Sequence, residues 1–554
     1  MARTENNSFG SQQNQESKTK STRVNVDSIL IEELGQFGKF HIRTVLLLSL
    51  AGCLGAWATN EYVFPTARIP SSVTSTCQSS PSAWLLNAIP GVSLDSFDSC
   101  QRFANATAAP AHGEDVYPAA WFDRGQVEKC DRHLYYNTDT IVYDFDLGCD
   151  EWRRSLVGSL VVAGLMVAMP ITGFVSDRWG RRTALVFNAT NTAWIGLLRY
   201  FCNSYIMFVM LEFAQNVFGA GAFSTAYIMA LEVSGPKYRV AAGICCSTFF
   251  ASGLVILGLI AWAVPNWRIL TLILFIPQLL IVSYLWIITE SSRWYISKGR
   301  YEESEEVLKT IAKVNKTQLS EKSLNALREN AEEAKRNQAE LKRQNKTERW
   351  LIVIVFRHKR ILLRCMIVPI WWISALFVYY GLIINAVNIS GNKYLNYMAV
   401  AAAQIPGFLA VLLLLDRIGR RPLLCGGFFI CAACQIAYIF MPTDHYALSL
   451  TVYLVGTGCI SATMTSINIY TAELFPTQYR HSLFAFCSML GRMGSILAPL
   501  TPALGAAVWD NLPFALFAGC ACAAGALVLL TPETRGVGFT DTMEEAEKIG
   551  KSKV

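Results

Sequence analysis

Long stretches without a single Asp, Glu, Lys or Arg recur through this chain, and they constrain its fold more than any motif does. They occupy residues 44–60, 155–176, 184–198, 213–231, 240–267, 269–289, 365–392, 394–415, 422–443, 446–472 and 511–532, with 481–509 interrupted only by Arg492. Crossing a hydrocarbon layer of about 30 Å takes about 20 apolar residues in a helix. Each run suits one crossing once tilt is allowed for. The expected fold is an all-α membrane protein of twelve transmembrane helices in two bundles of six. A compact soluble enzyme is excluded: of 554 residues, 53% are hydrophobic and 16% charged, against about 25% charged in an ordinary soluble domain. The formal charge of +7 does not indicate a nucleic-acid partner, because the Lys and Arg residues stand in short clusters between apolar runs, as in the cytoplasmic loops of membrane proteins.

The polar segments divide the chain. Residues 1–40 lack the apolar core of a cleavable signal peptide and read as a disordered cytoplasmic tail. A first bundle spans 41–290, with a large external loop at 65–153; a Lys- and Glu-rich linker of solvated amphipathic helices fills 291–360; a second bundle spans 361–533 and a tail 534–554. Basic clusters follow the even-numbered spans, whereas Asn203-Ser204 and Pro265-Asn266 carry none, which sets both termini in the cytoplasm. The external loop then holds the glycosylation sequon Asn105-Ala-Thr107 and Cys77, Cys100, Cys130 and Cys149, disulfide candidates with three possible connectivities. Cys431 and Cys434 form a lone CxxC inside an apolar run, without further ligands for a metal.

An internal repeat is the strongest signal. Asp177-Arg178-Trp-Gly180-Arg181-Arg182 returns 239 residues later as Asp416-Arg417-Ile-Gly419-Arg420-Arg421. Glu232…Tyr238-Arg239 returns after 241 residues as Glu473…Tyr479-Arg480, and Glu290-Ser-Ser-Arg293 after 243 residues as Glu533-Thr-Arg535. All these pairs fall at cytoplasmic ends of spans. Carboxylates at one helix end facing guanidiniums at another form charge-assisted bonds, so the set reads as a gating latch that closes in one state and breaks in another. Gly180 and Gly419 allow the tight turns.

Ionisable residues inside spans are costly and default to functional candidates. Glu61 either snorkels outward or lines the external mouth. Arg199 and Glu212 flank the short turn at Asn203-Ser204 and are expected to pair. Arg492, among small residues in Cys487-Ser-Met-Leu-Gly491-Arg492-Met-Gly494, is the principal binding candidate, since a guanidinium without a fixed acid attracts a carboxylate. Trp371, Trp372, Tyr379 and Tyr380 on span 7, and Phe223 and Tyr227 on span 4, supply rings for an organic body or an ammonium.

The DRxGRR loops resemble those of the major facilitator superfamily. More narrowly, Glu32-Glu33-Leu-Gly-Gln-Phe-Gly-Lys-Phe, the long Cys-bearing loop, Glu290-Ser-Ser-Arg293-Trp294, Tyr379-Tyr380-Gly381-Leu382 and Tyr470-Thr-Ala-Glu473-Leu-Phe-Pro476-Thr resemble solute carrier family 22, the organic cation, anion and zwitterion transporters. The resemblance implies two parallel halves around a central site and a multi-pass plasma-membrane location. Cation-carrying members place acids at positions matching Gln404, Thr465 and Arg492, and all three acids are missing here. Glu212 stands where many members carry Arg. The implied function is alternating-access transport of an organic anion or zwitterion, carnitine-like or amino-acid-like. Arg492 would take its carboxylate, Gln404 and Thr465 would hydrogen-bond it, and Trp371 and Tyr379 would hold its body. A cation transporter using Glu61 or Glu212, a sugar porter and a non-transporting scaffold are the alternatives. Neither a P-loop, a metal cluster nor a nucleophilic triad signature is present, so no enzyme activity, cofactor or metal is expected. Membrane lipid and a small organic ion are the expected partners, with any coupling ion open.

Overall fold

The computed structural model describes residues 26–67, 71–72, 101–105, 122–129, 134–135, 138–329, 332, 336, 355–442, 445–476, 479–535 and 543–549. Ten helices among them are long and apolar enough to cross a membrane. Labelled in chain order together with two further helices, they are α1 (Lys39–Val63), α2 (Glu151–Trp179), α3 (Arg181–Leu198), α4 (Tyr205–Val233), α5 (Pro236–Ala263), α6 (Trp267–Ile287), α7 (Lys359–Asn388), α8 (Lys393–Ile418), α9 (Arg420–Ile439), α10 (Tyr446–Leu474), α11 (Ser482–Val508) and α12 (Leu512–Val528). The two outside the ten are α3 and α12. Helix α12 is 17 residues long, and α3 opens on two arginines and carries polar residues mid-helix. Those polar groups are satisfied locally: Asn188 donates to the Ala184 carbonyl at 2.7 Å, and Thr192 to the Asn188 carbonyl at 3.0 Å.

The repeat read from the charged motifs is also a repeat of packing. Helix α1 lies on α4 and α5, α2 on α4, and α3 on α4 and α6; correspondingly α7 lies on α10 and α11, α8 on α10, and α9 on α10 and α12. Small residues let two of these matched pairs approach at backbone distance. A Cβ on Gly253 of α5 would meet the Cys53 carbonyl of α1 at 2.6 Å, and one on Gly494 of α11, 241 residues later, would collide with the Ile373 carbonyl of α7.

The halves meet along two seams, α5 against α8 and α2 against α11. We call the end bearing the repeated charged motifs the motif end and the opposite one the far end. At the far end the halves are closed. Phe64, just past α1, stacks on Tyr394 and meets Tyr397 edge-on at 4.8 Å, both from α8. A Cβ on Gly258 of α5 would fall 2.5 Å from Met398 of α8, and Ser159 of α2 donates to the Ile496 carbonyl of α11 at 2.9 Å.

One polar segment departs from the sequence reading. Val26–Ile29 and Leu30–Leu34 are helical rather than disordered, and Val26, Ile29, Leu30 and Leu34 bury against Val307, Leu308 and Ile311 of the linker helix Tyr301–Asn315. The i, i+3, i+4, i+8 spacing of those apolar residues is a helical stripe that the polar composition around it obscures. The large external loop carries four short strands among its described residues. Strands β1 (Ser71–Ser72), β2 (Gln101–Asn105), β3 (Phe122–Lys129) and β4 (Leu134–Tyr135) pair antiparallel, β1 with β4 and β2 with β3, the latter from Gln101 opposite Lys129. At the other terminus, the helix Met543–Lys548 is held by Arg364 of α7, which donates to the Ala546 carbonyl at 2.8 Å and to Leu474 at 3.1 Å.

A Cβ at Gly158 of α2 would sit 2.7 Å from both Pro499 of α11 and Tyr62 of α1. Gly158→Leu is therefore expected to disfavour far-end closure by about 1–3 kcal/mol, the usual cost of overpacking. A cysteine placed at Met398 should then react several-fold faster with a membrane-impermeant maleimide, above the background of the native cysteines. Unchanged reactivity would count against a closed seam at Gly158.

Candidate functional site

At the motif end Asp177, Arg181, Glu232 and Glu290 of the first half gather into one cluster, and Asp416, Arg420, Glu473 and Glu533 of the second gather into another. Gly180 has φ +103° and Gly419 φ +107°, a conformation that favours glycine. These turns start α3 and α9, whose first N–H groups lack helical partners. Glu290 accepts from the backbone N–H of Arg181 at 2.9 Å and of Arg182 at 3.1 Å, and Glu533 accepts from Arg420 at 3.0 Å and Arg421 at 2.9 Å. A carboxylate at a helix N-terminus also meets the positive end of the helix dipole. Arg181 bonds Glu232 at 3.2 Å and Asp177 at 2.9 Å; Arg420 pairs with Glu473 at 3.1 Å and Asp416 at 2.9 Å.

These clusters lie within each half. Among the described residues none of these ion pairs joins one half to the other, so in this conformation each cluster staples its own bundle of helix ends. Arg178 and Arg417 are exposed, Arg178 standing over the Phe174 ring. Arg239 and Arg293 take a partner that the repeat does not contain: Asp27, at 2.6 and 2.5 Å. Asp27 was missed because its segment reads as tail, although it opens the same helical stripe as Ile29 and Leu30. Burial pushes its carboxyl up, but Arg293 and Arg239 outweigh that and hold it below the ordinary aspartate value. The side chains of Arg480 and Asn105, and Cys77, Cys100 and Cys130, lie outside the described residues; Cys149 is disulfide-bonded, and Cys431 and Cys434 are free.

Inside the membrane, the expected Arg199–Glu212 pair is present, and it has a third member. Arg199, fully buried, contacts Glu212 directly and Glu61 at 2.5 Å. Glu61 therefore neither snorkels nor opens onto the far end: it is 2% exposed. The rings of Phe275 and Phe208 cover the guanidinium at 4.9 and 5.8 Å. Arg492 is different. It is partly buried, and among the described residues no acid lies within ion-pair distance of it. It stands one turn before Ile496, whose carbonyl receives Ser159 from α2, which puts it beside the seam between halves.

Two candidate residues meet in the C-terminal half. Tyr379 donates to the Gln404 side-chain oxygen at 2.7 Å, and both are buried. The Gln404 amide nitrogen, the Tyr397 hydroxyl and the Trp371 indole nitrogen are buried without a partner. Trp371 meets Tyr470 edge-on at 5.4 Å, and Tyr379 meets Tyr380 at 5.3 Å. Thr465 is half-buried and donates back to the Ser461 carbonyl at 3.3 Å. Tyr227 sits apart from these in the N-terminal half, at 6.1 Å from Phe223.

The family model described as "Sugar (and other) transporter" matches residues 107–546. Solute carrier family 22 member 16 of Xenopus laevis is 31% identical over 412 residues, covering 74% of this chain and 71% of the relative. The chain belongs to the sugar (and other) transporter family, and within it to solute carrier family 22. An organic cation transporter protein of Drosophila melanogaster is 29% identical over 531 residues, 94% of each chain, and solute carrier family 22 member 3 of Rattus norvegicus is 27% identical over 543 residues, 95% of this chain and 96% of that one. The inward-open xylose transporter XylE of E. coli superposes with a TM-score of 0.59 at 12% identity, covering 92% of this chain and 100% of that one. That likeness gives the fold, the major facilitator arrangement. This family 22 member is a multi-pass membrane transporter of small organic substrates, not an enzyme.

Asp27→Asn is expected to weaken docking of residues 26–34 by about 1 kcal/mol, the scale of a partly exposed ion-pair network. Hydrogen–deuterium exchange of that segment should rise at neutral pH. A depressed carboxyl contributes stability above its unfolded value and loses it as pH falls, so wild type should approach the variant only below about pH 4. Equal exchange in both at pH 7 would show that the apolar stripe alone docks the segment.

Proposed function

We propose that this protein is a plasma-membrane carrier of organic cations, with twelve spans and both termini cytoplasmic, working by alternating access between its two halves. The observation that carries the cation reading is the charge inside the N-terminal half: two buried carboxylates, Glu61 and Glu212, share the single guanidinium of Arg199. If both are ionised the group carries one net negative charge. Tyr62 lies within electrostatic reach of both Glu212 and Tyr380, linking that charge to the rings of α7, whose faces attract ammonium groups. Relatives bearing the name organic cation transporter support the same class. The far end, closed by Phe64, Tyr394 and Tyr397, would be the outer gate, and the motif end would open inward. The clusters around Arg181 and Arg420 would keep each half rigid while it rocks.

A second reading rests on Arg492. A half-buried guanidinium with no acid partner among the described residues suits an anionic or zwitterionic cargo, with Gln404 and Thr465 hydrogen-bonding its carboxylate.

Radiolabelled uptake of a quaternary ammonium, a zwitterion such as carnitine and a monocarboxylate separates the two. The cation reading expects the ammonium to be carried, and Arg492→Ala to preserve or raise its uptake by removing a like charge. Ammonium uptake absent while carboxylate uptake falls tenfold or more in Arg492→Ala, about 1.4 kcal/mol or more, would overturn it.

A further inference from the structure

Arg199 stands just past α3, Glu61 near the end of α1 and Glu212 on α4, and all three are essentially sealed from solvent, at 0, 2 and 1% exposure. One guanidinium cannot compensate two ionised carboxylates. A net charge left in so dry a place is costly enough that the group neutralises instead, and of two acids confined to one site, one keeps its proton. Each acid has an oxygen free for it: Glu61 Oε2 and Glu212 Oε2 are both buried without a hydrogen-bond partner.

Among the described residues, Arg199 is the one cation paired with these two acids. Tyr62 on the end of α1, Tyr380 on α7 and Cys202 after α3 are the neighbouring titratable groups. Arg268 on α6, which reaches Cys202 electrostatically, is paired with Asp144 at 2.9 Å. Arg154 at the start of α2 is paired with Glu151. A metal cation would face the guanidinium's positive charge and would need more oxygens than two, whereas a proton needs one.

A polar path adjoins the site. Gln215, one turn along α4 from Glu212, is buried with its side-chain oxygen unpartnered, and it lines a small cavity together with Thr59, Thr192, Asn216 and Gln278. Asn216 donates to the Glu212 carbonyl at 2.9 Å.

We infer that Glu61, Arg199 and Glu212 hold one exchangeable proton, and that an organic cation entering the central cavity displaces it, so that the carrier exchanges cation for proton. The exchange half rests on the cation reading above. In the forward step a carboxyl O–H breaks and its proton passes to water on the side to which the cavity is open, leaving a carboxylate to compensate the cargo. After the cargo leaves on the other side, the carboxylate takes a proton from water there. One positive charge crosses each way, so the cycle with a monovalent cation is electroneutral.

Infrared spectroscopy of the purified full chain in lipid tests the proton without any cargo. A protonated-carboxyl C=O band should be present at acid pH and vanish reversibly as pH rises. Glu61→Gln and Glu212→Gln should each abolish it, because the remaining acid then pairs with Arg199 alone. Glu305→Gln, which removes half of the linker pair Lys309–Glu305, should keep it. A wild-type protein with no titrating band, or a band surviving in both acid variants, overturns the site. In proteoliposomes, an acid interior should speed tetraethylammonium uptake several-fold, and an imposed membrane potential should leave it unchanged. Uptake that follows the potential and ignores the pH gradient overturns the exchange. If tetraethylammonium does not move while the band titrates as expected, the cation reading fails and the proton site stands.

Discussion

An uncompensated charge in hydrocarbon is the most expensive thing a membrane helix can carry, and the arrangement of this molecule follows from how each charge is met. At the motif end the first N–H groups of α3 and α9 have no helical acceptors, and Glu290 and Glu533 supply them. In the N-terminal half Arg199 is met twice over, by Glu61 and Glu212. In the C-terminal half Arg364 is met by three backbone carbonyls, one where α10 ends and two toward the end of the helix Met543–Lys548. Arg492 is the exception among these, standing beside the seam with no acid against it among the described residues.

The distribution of strong and weak contacts separates what is rigid from what can part. Hydrogen bonds to charged groups are worth about 1.5–3 kcal/mol each, and at the motif end they run within a half, tying α3, α4 and α6 on one side and α9, α10 and α12 on the other. Across the halves at the far end the contacts are rings and small residues: Phe64 on Tyr394, Gly258 on Met398, Gly158 between Pro499 and Tyr62. Ring pairs contribute about 0.5–1.5 kcal/mol beyond their area. Rocking two stiff bodies about such a seam costs less than deforming either one. The N-terminal segment adds a further tie at the motif end, since Asp27 joins Arg239 at the start of α5 to Arg293 after α6.

How much of this the sequence carries depends on distance along the chain. The charged repeat was legible because its members are alike in type and nearly constant in spacing, and the Arg199–Glu212 pair because a short turn fixes the relative depth of α3 and α4. Glu61 could not be joined to them: more than a hundred residues of loop and helix, 64–180, separate α1 from α3, and only packing sets its depth. The glycines Gly253 and Gly494 keep the same 241-residue register as the motifs, yet glycine is common in membrane helices, so the coincidence carried no signal by itself. Asp27 was hidden by composition, its four apolar companions lying among enough polar residues to read as tail. Tyr379 and Gln404 were named separately as cavity residues, but their bond depends on the crossing of α7 and α8, which no spacing reveals.

On the proposed alternating-access cycle, the two charged sites are best understood together. With a proton on the Glu61–Arg199–Glu212 group, that group is neutral, and of the two sites only Arg492 carries a charge. With a monovalent cation bound and the proton gone, the sum is the same, since the new cargo charge is offset by the freed carboxylate. A cavity that must be sealed from water in both loaded states meets the same electrostatic cost each time, and neither loaded form is trapped. A carboxylate cargo obeys a different balance: it cancels Arg492 directly, leaves the proton where it is, and makes the loaded state neutral while the empty one is charged. Cargo charge and proton stoichiometry are therefore not independent properties of this carrier, and the geometry around Arg199 fixes one once the other is known.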